Sequence, residues 1–191
     1  MSAFFAPRTT PASSIVNRGT GAGGAATNAS GKPFEELTSN ESKLIELGFK
    51  STPIGKKTYL SKDNVVFLTQ GTLKAYIKQE FSKNVNRNPD EAYLVKRPDG
   101  HVLRILEKKN QNGAGSVSDK LLNGPSFVEY YEWALGEGFK VEYAYCLSPF
   151  LEELYKKDAF LQHFYTKHNI KVFFSSDPEY FTKVGSWALA S

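Results

Sequence analysis

The chain has 191 residues and a mass of 21.3 kDa, enough for one ordinary domain and short for two. Hydrophobic residues at 40% and aromatics at 14% exclude a disordered or fibrous chain, and a mean hydropathy of −0.40, with no apolar run near the roughly 18 residues of a membrane span, argues against a membrane protein. The net charge is +4, yet Arg8, Arg18 and Lys32 stand in residues 1–34 without any acid, so the remainder is near neutral and bulk charge does not mark a nucleic-acid binder.

Residues 1–33 are rich in Gly, Ala, Ser and Thr and show no hydrophobic period, which predicts a flexible or extended arm. Gly31-Lys32 is not a phosphate-binding loop, because Ala26 and Pro33 occupy the places of its outer Gly and its Ser or Thr. The start, MSAFFAPRTT, has no basic region leading into an apolar run, and the lone Cys146 has no partner for an internal disulfide. Both features point to an intracellular, reducing compartment.

From residue 34 onward the pattern is that of one α/β domain reaching residue 191. Leu37, Leu44, Ile45 and Leu47 before Gly48 predict a helix within 34–47 that starts after Ser39 or Asn40. Residues 58–60 and 65–68 read as short strands, and 72–81 as a helix with Leu73, Tyr76, Ile77 and Phe81 at helical spacing. Residues 92–96 and 102–106 alternate as strands around Pro98-Asp99-Gly100, a turn signal that predicts an antiparallel hairpin. A polar loop with Gly113, Gly115 and Ser116 leads into a helix from Ser118, interrupted at Gly124-Pro125 and resuming to Leu135. A strand at 140–147, helices at 149–155 and 158–168, a strand at 170–174 and a helix at 179–188 complete the chain. Strands alternating with helices imply a mixed sheet covered on both faces.

The chemistry is expected on the hairpin. Period-two alternation puts Glu107, Lys109 and Gln111 on one face, with Leu106 and Lys108 on the other. A three-residue turn would set Glu91 opposite Glu107, and a two-residue Asp99-Gly100 turn would set Asp90 across from Lys109, so one residue of register decides whether Asp90 or Glu91 joins the site. Two carboxylates brought together repel unless a cation sits between them, and a hard ion such as Mg²⁺ takes their oxygen ligands and keeps several waters. Lys109 beside it would orient a water or neutralise a phosphorane, an arrangement for phosphodiester hydrolysis.

Pro89-Asp90 followed by Glu107-Lys108-Lys109 on adjacent strands resembles the PD-(D/E)xK nucleases, the restriction-endonuclease-like family. The longer string from Ile105 to Gln111, followed by Gly115-Ser116-Val117 and Lys120-Leu121, looks like a branch of that family from large DNA viruses. The resemblance covers roughly residues 72–175. It implies a mixed β-sheet flanked by helices, a Mg²⁺-dependent endodeoxyribonuclease activity, and duplex DNA as the partner. Asp90 and Glu107 would be metal ligands, Glu91 the alternative to Asp90, Lys109 the catalytic lysine and Gln111 an auxiliary. Glu80 on the preceding helix is the candidate assisting acid, and Lys108, Ser116 and Lys120 are candidate DNA contacts. Enzymes of this type often act as homodimers. The alternative is a non-catalytic component of a virion or other assembly, built on the same fold, whose arm at 1–33 binds its neighbours. Acid-x-Lys also occurs at Glu41-Ser42-Lys43, so the weight rests on the conjunction of acid, hairpin and Glu-x-Lys-x-Gln rather than on any one piece.

The remaining polar and aromatic residues carry plainer expectations. His163 and His168 do not share a helix face and have no Cys or His partners for zinc. His101 follows a turn and is expected at the surface, Cys146 in an apolar run as an inert core thiol. Tyr130, Tyr131 and Trp133, at helical spacing, are expected in the core rather than stacked on bases.

Overall fold

A computed structural model describes residues 33–111 and 120–190. The arm expected over 1–33, apart from its last residue, and Ser116 lie outside the described residues.

Seven strands form one mixed sheet in sequence order. They are β1 (Lys50–Ile54), β2 (Lys57–Lys62), β3 (Val65–Thr69), β4 (Glu91–Arg97), β5 (Gly100–Lys109), β6 (Phe139–Leu147) and β7 (Lys171–Phe174). The first five run antiparallel to their neighbours, whereas β6 is parallel to β5 and β7 to β6. The helices are α1 (Glu41–Glu46), α2 (Leu73–Phe81), α3 (Gly124–Leu135), α4 (Pro149–Lys157), α5 (Ala159–Lys167) and α6 (Tyr180–Ala188), with a helical turn over 33–37 before them. Among the described residues no helix is long and apolar enough to cross a membrane.

The fold is thus α/β, a mixed sheet with helices on both faces, as the alternation of elements requires. On one face Leu68, Ala92, Leu94, Leu103, Ile105, Tyr143 and Tyr145 meet Leu73 and Ile77 of α2 and Tyr131 and Leu135 of α3. On the other, Phe67, Tyr93, Val95, Leu106 and Cys146 meet Leu44 of α1 and Val184, Trp187 and Ala188 of α6. Central strands buried on both faces explain the nearly continuous apolar run Ala92–Val95.

Two boundaries differ from the sequence reading. The helix within 34–47 is two pieces, because Thr38 and Asn40 turn inward as buried polar residues between them. β1 carries no apolar alternation and contains Pro53; it pairs only with β2, and an edge strand tolerates a residue without an N–H.

The hairpin register is the fold's main contribution to the site. Arg97 pairs with Gly100, so the turn is Pro98-Asp99, a register one residue from that of the three-residue turn and two from that of the Asp99-Gly100 turn. Proline at the first corner and glycine at the exit are where such turns favour them. Gly100 has φ +142°, and a Cβ there would lie 3.1 Å from the Gly138 carbonyl oxygen, so only glycine fits. Glu91 then faces Leu106, and the same register carried one residue further sets Asp90 opposite Glu107.

Candidate active site

The site forms at one end of the sheet, where β4 begins and β5 ends. Chain crossovers between parallel strands leave from the carboxyl end of β5, the place where open α/β sheets gather ligands. Asp90, Glu107 and Lys109 share the face covered by α2 and α3. The Lys109 ammonium lies 2.7 Å from Glu107 Oε1, and both side chains keep partial solvent access, 24% and 19%. Asp90 is held by two donors: the Lys108 N–H at 2.7 Å and Gln70 Nε2 at 3.1 Å. Gln70 follows β3 directly, and the pairing of Thr69 with Glu91 brings it beside Asp90.

Burial pushes the Glu107 carboxyl above its ordinary pKa, and the neighbouring Asp90 pushes it further, with Lys109 offsetting only part. Burial likewise raises Asp90, against the Lys108 N–H and the charge of Lys109. A third acid stands nearby: Glu35, in the turn at 33–37, is raised by burial and by Asp90. Three acids thus stand near the Lys109 ammonium, and the charge of Lys108, paired with Glu91 on the other face, also acts on Asp90 and Glu35.

Behind Glu107 lies a cleft of about 260 Å³ whose lining includes Arg87, Pro89, Ile105, Phe127 and Tyr131. Tyr131, Tyr143 and Tyr145 all have phenol pKa values raised by burial first and by Glu107 second, which places the carboxylate among aromatic rings in a low-dielectric setting. Among the described residues the buried Tyr131 hydroxyl has no hydrogen-bond partner.

Glu91 does not join this group. It points to the opposite face, where it accepts from Asn40 N at 3.0 Å, Asn40 Nδ2 at 2.9 Å, Tyr93 Oη at 2.7 Å and Lys108 Nζ at 2.7 Å. Lys108 also donates to the Glu35 carbonyl at 3.0 Å. The expected DNA contact at Lys108 is therefore corrected: its side chain is 2% exposed and sealed in a buried ion pair, because strand alternation turns it away from the Lys109 face.

Glu80 is also corrected as the assisting acid. It pairs with Lys96 at 3.2 Å, and Lys96 is six residues along β4 from Asp90, about 20 Å at the usual strand rise. Gln111 continues past β5 half-buried, its backbone tied to Ser148 Oγ by bonds of 3.3 and 3.2 Å. Lys120 is exposed, and its carbonyl accepts from Tyr145 Oη at 3.3 Å. His101, expected at the surface, is part-exposed, with its ring against Phe81 and Phe139, and burial lowers its pKa. Cys146 is a fully buried thiol, its pKa pushed up to about 12 chiefly by burial. Trp133, expected in the core, is 80% exposed, whereas its neighbour Tyr131 is buried.

Sequence reasoning missed Glu35, Gln70 and the cleft residues Arg87 and Tyr131. Only the strand pairing brings Gln70 in, and Glu35 lies at the edge of the segment read as an arm.

No protein-family model matches the chain, and no curated protein does. Among solved structures, an XisH family protein from Nostoc punctiforme is similar at TM-score 0.36 and 10% identity, over 74% of this chain and 88% of that one. A likeness that loose does not bear on function.

Proposed function

We propose that the Asp90–Glu107–Lys109 site hydrolyses phosphodiester bonds of DNA with the help of Mg²⁺, as the resemblance to PD-(D/E)xK nucleases implies. The observation that carries this reading is the meeting of two carboxylates and one lysine on the same face at the end of β5. The donor chemistry fits a hard divalent ion. Among the described residues no three or more His, Cys, Asp or Glu side chains gather to hold a metal, so the protein's share is two carboxylates. Mg²⁺ accepts such a pair because it keeps waters and takes substrate phosphate oxygens for the rest of its shell.

Asp90 and Glu107 are the proposed ligands. An ion held there supplies Lewis-acid polarisation of the phosphoryl group and a more acidic bound water. Lys109, already oriented by Glu107, stands where it can hold the attacking water and offset charge building on the phosphoryl oxygens. In the reaction the water oxygen joins phosphorus, the bond from phosphorus to the leaving sugar oxygen breaks, and a water proton ends on that oxygen. Glu35 takes the assisting place that Glu80 does not reach, Gln111 stays the auxiliary at the strand end, and exposed Lys120 remains a candidate phosphate contact.

Incubation of purified protein with duplex and single-stranded DNA tests this. The expected result is cleavage that requires Mg²⁺, stops with chelator, and falls about 100-fold or more in Glu107→Ala and Lys109→Ala, with circular dichroism unchanged. Equal cutting by either variant overturns the assignment.

A further inference from the structure

One side of α3 beside the cleft passes from the core into solvent: Phe127 and Tyr130 are half-buried against the core, and Trp133 stands clear of it. Phe127, Tyr130 and Trp133 follow each other at three-residue steps, so their rings are neighbours along the helix. The Tyr130 and Trp133 ring centroids are 6.4 Å apart, and Trp133 is 80% exposed, a large apolar area to leave in water.

Two cations edge this row. The Arg87 guanidinium lies 5.9 Å from both the Phe127 and Tyr130 ring centroids. The Lys83 ammonium lies 3.4 Å from where a Cβ on Gly136 would stand, just beyond the helix end. Neither makes an ion pair among the described residues, whereas Lys96, Arg104 and Lys140 on the sheet do. The Asn86 N–H donates to the Tyr130 hydroxyl, which ties the segment carrying both cations to α3. Deeper in, Tyr131, whose hydroxyl has no partner among the described residues, shares the cleft with Arg87 and Glu107. Three acids counter the pattern: Glu129, Glu132 and Glu137, all exposed, lie one turn before, directly before and one turn after Trp133.

We propose that this face takes a single-stranded segment of nucleic acid, its bases on Trp133 and Tyr130, its phosphates on Lys83 and Arg87, and leads it toward Glu107. The physical basis is that a base still paired in a duplex keeps its faces stacked on its neighbours, whereas an unpaired base offers a free face to an exposed indole, and flanking cations track the backbone. The inference rests on the nuclease reading for its choice of ligand, but its test does not require cleavage. Tyr131 is assigned the hydrogen bond to the strand where it enters the cleft.

The experiment is a titration of the full chain, with chelator present, by labelled oligo(dT) and by a duplex of equal length. Fluorescence anisotropy and intrinsic tryptophan emission are both followed. Trp187 is 8% exposed and packed against α6's own core neighbours, so quenching reports on Trp133. The expected result is tighter binding of the single strand with quenched emission. Trp133→Ala should weaken binding about ten-fold or more, and Arg87→Ala should shrink the salt-dependence slope by about 0.7. Glu129→Gln should bind more tightly than the parent. Unchanged affinity in Trp133→Ala, preference for duplex, or no binding by the parent each overturns the proposal. Adding Mg²⁺ then separates the two readings. Cleavage of duplex that ignores Trp133→Ala keeps the nuclease and removes this surface, while strand binding without cleavage keeps the surface and removes the nuclease.

Discussion

Two lysine–glutamate pairs sit back to back on the same hairpin, and their surroundings are opposite. Glu91 and Lys108, 3% and 2% exposed, face α1 and α6, and Glu91 collects four donors. Glu107 and Lys109 face α2 and α3, keep partial access to solvent, and share their end of the sheet with Asp90 and Glu35. The first pair is closed, with its charge matched and its hydrogen bonds complete. The second has two further acids and a cleft beside it. Identical residue types thus serve stability on one face and, in our reading, chemistry on the other; the number of donors per carboxylate separates them.

The largest expected difference is catalytic. Glu107→Ala or Lys109→Ala should lower Mg²⁺-dependent cleavage about 100-fold or more while leaving the melting transition in place. Next is stability on the closed face. Lys108→Ala strands a buried carboxylate and should cost about 3–5 kcal/mol by denaturant titration. The double variant Glu91→Gln with Lys108→Met should recover much of that loss, since removing both charges relieves the buried ion.

Asp90→Asn should do the reverse of Lys108→Ala and stabilise the metal-free protein by about 1 kcal/mol at neutral pH. The sign follows from the raised carboxyl pKa values of Asp90 and Glu107. Below the ordinary carboxylate range both states hold the protons. As pH rises from there through the raised folded values the unfolded chain releases them first, so stability falls across that window. Melting curves from acid to neutral pH should show this decline in the parent and a smaller one in Asp90→Asn. The smallest effect is expected for Glu80→Gln, within about 0.5 kcal/mol and with cleavage unchanged, because Glu80 holds only Lys96 at the surface.

Local pattern made the helices, the central strands and the division of the hairpin into two faces readable, because periodicity reports burial directly. Pairing was not readable to the same degree. Pro98-Asp99-Gly100 announced a turn, but with Pro98 at its first corner the register is neither of the two expected, and it sets Asp90 rather than Glu91 opposite Glu107. The same limit hid Glu35 and Gln70, which reach the site through tertiary placement alone. Lys108 shows the converse: alternation already put it opposite Lys109, and treating it as a DNA contact passed over what a buried face requires of a lysine. Trp133 was misassigned because its three-residue spacing from Tyr130, which packs against the core, does not carry it onto the sheet, where Tyr131 and Leu135 lie.

The central claim is that Asp90 and Glu107 jointly trap a hard cation. Calorimetric titration of the purified protein with Mg²⁺ tests it most directly. The account predicts a saturable site that disappears in Asp90→Asn and again in Glu107→Gln, both variants remaining folded. Binding that persists unchanged in the two variants, or no binding by the parent even with DNA present, would contradict it.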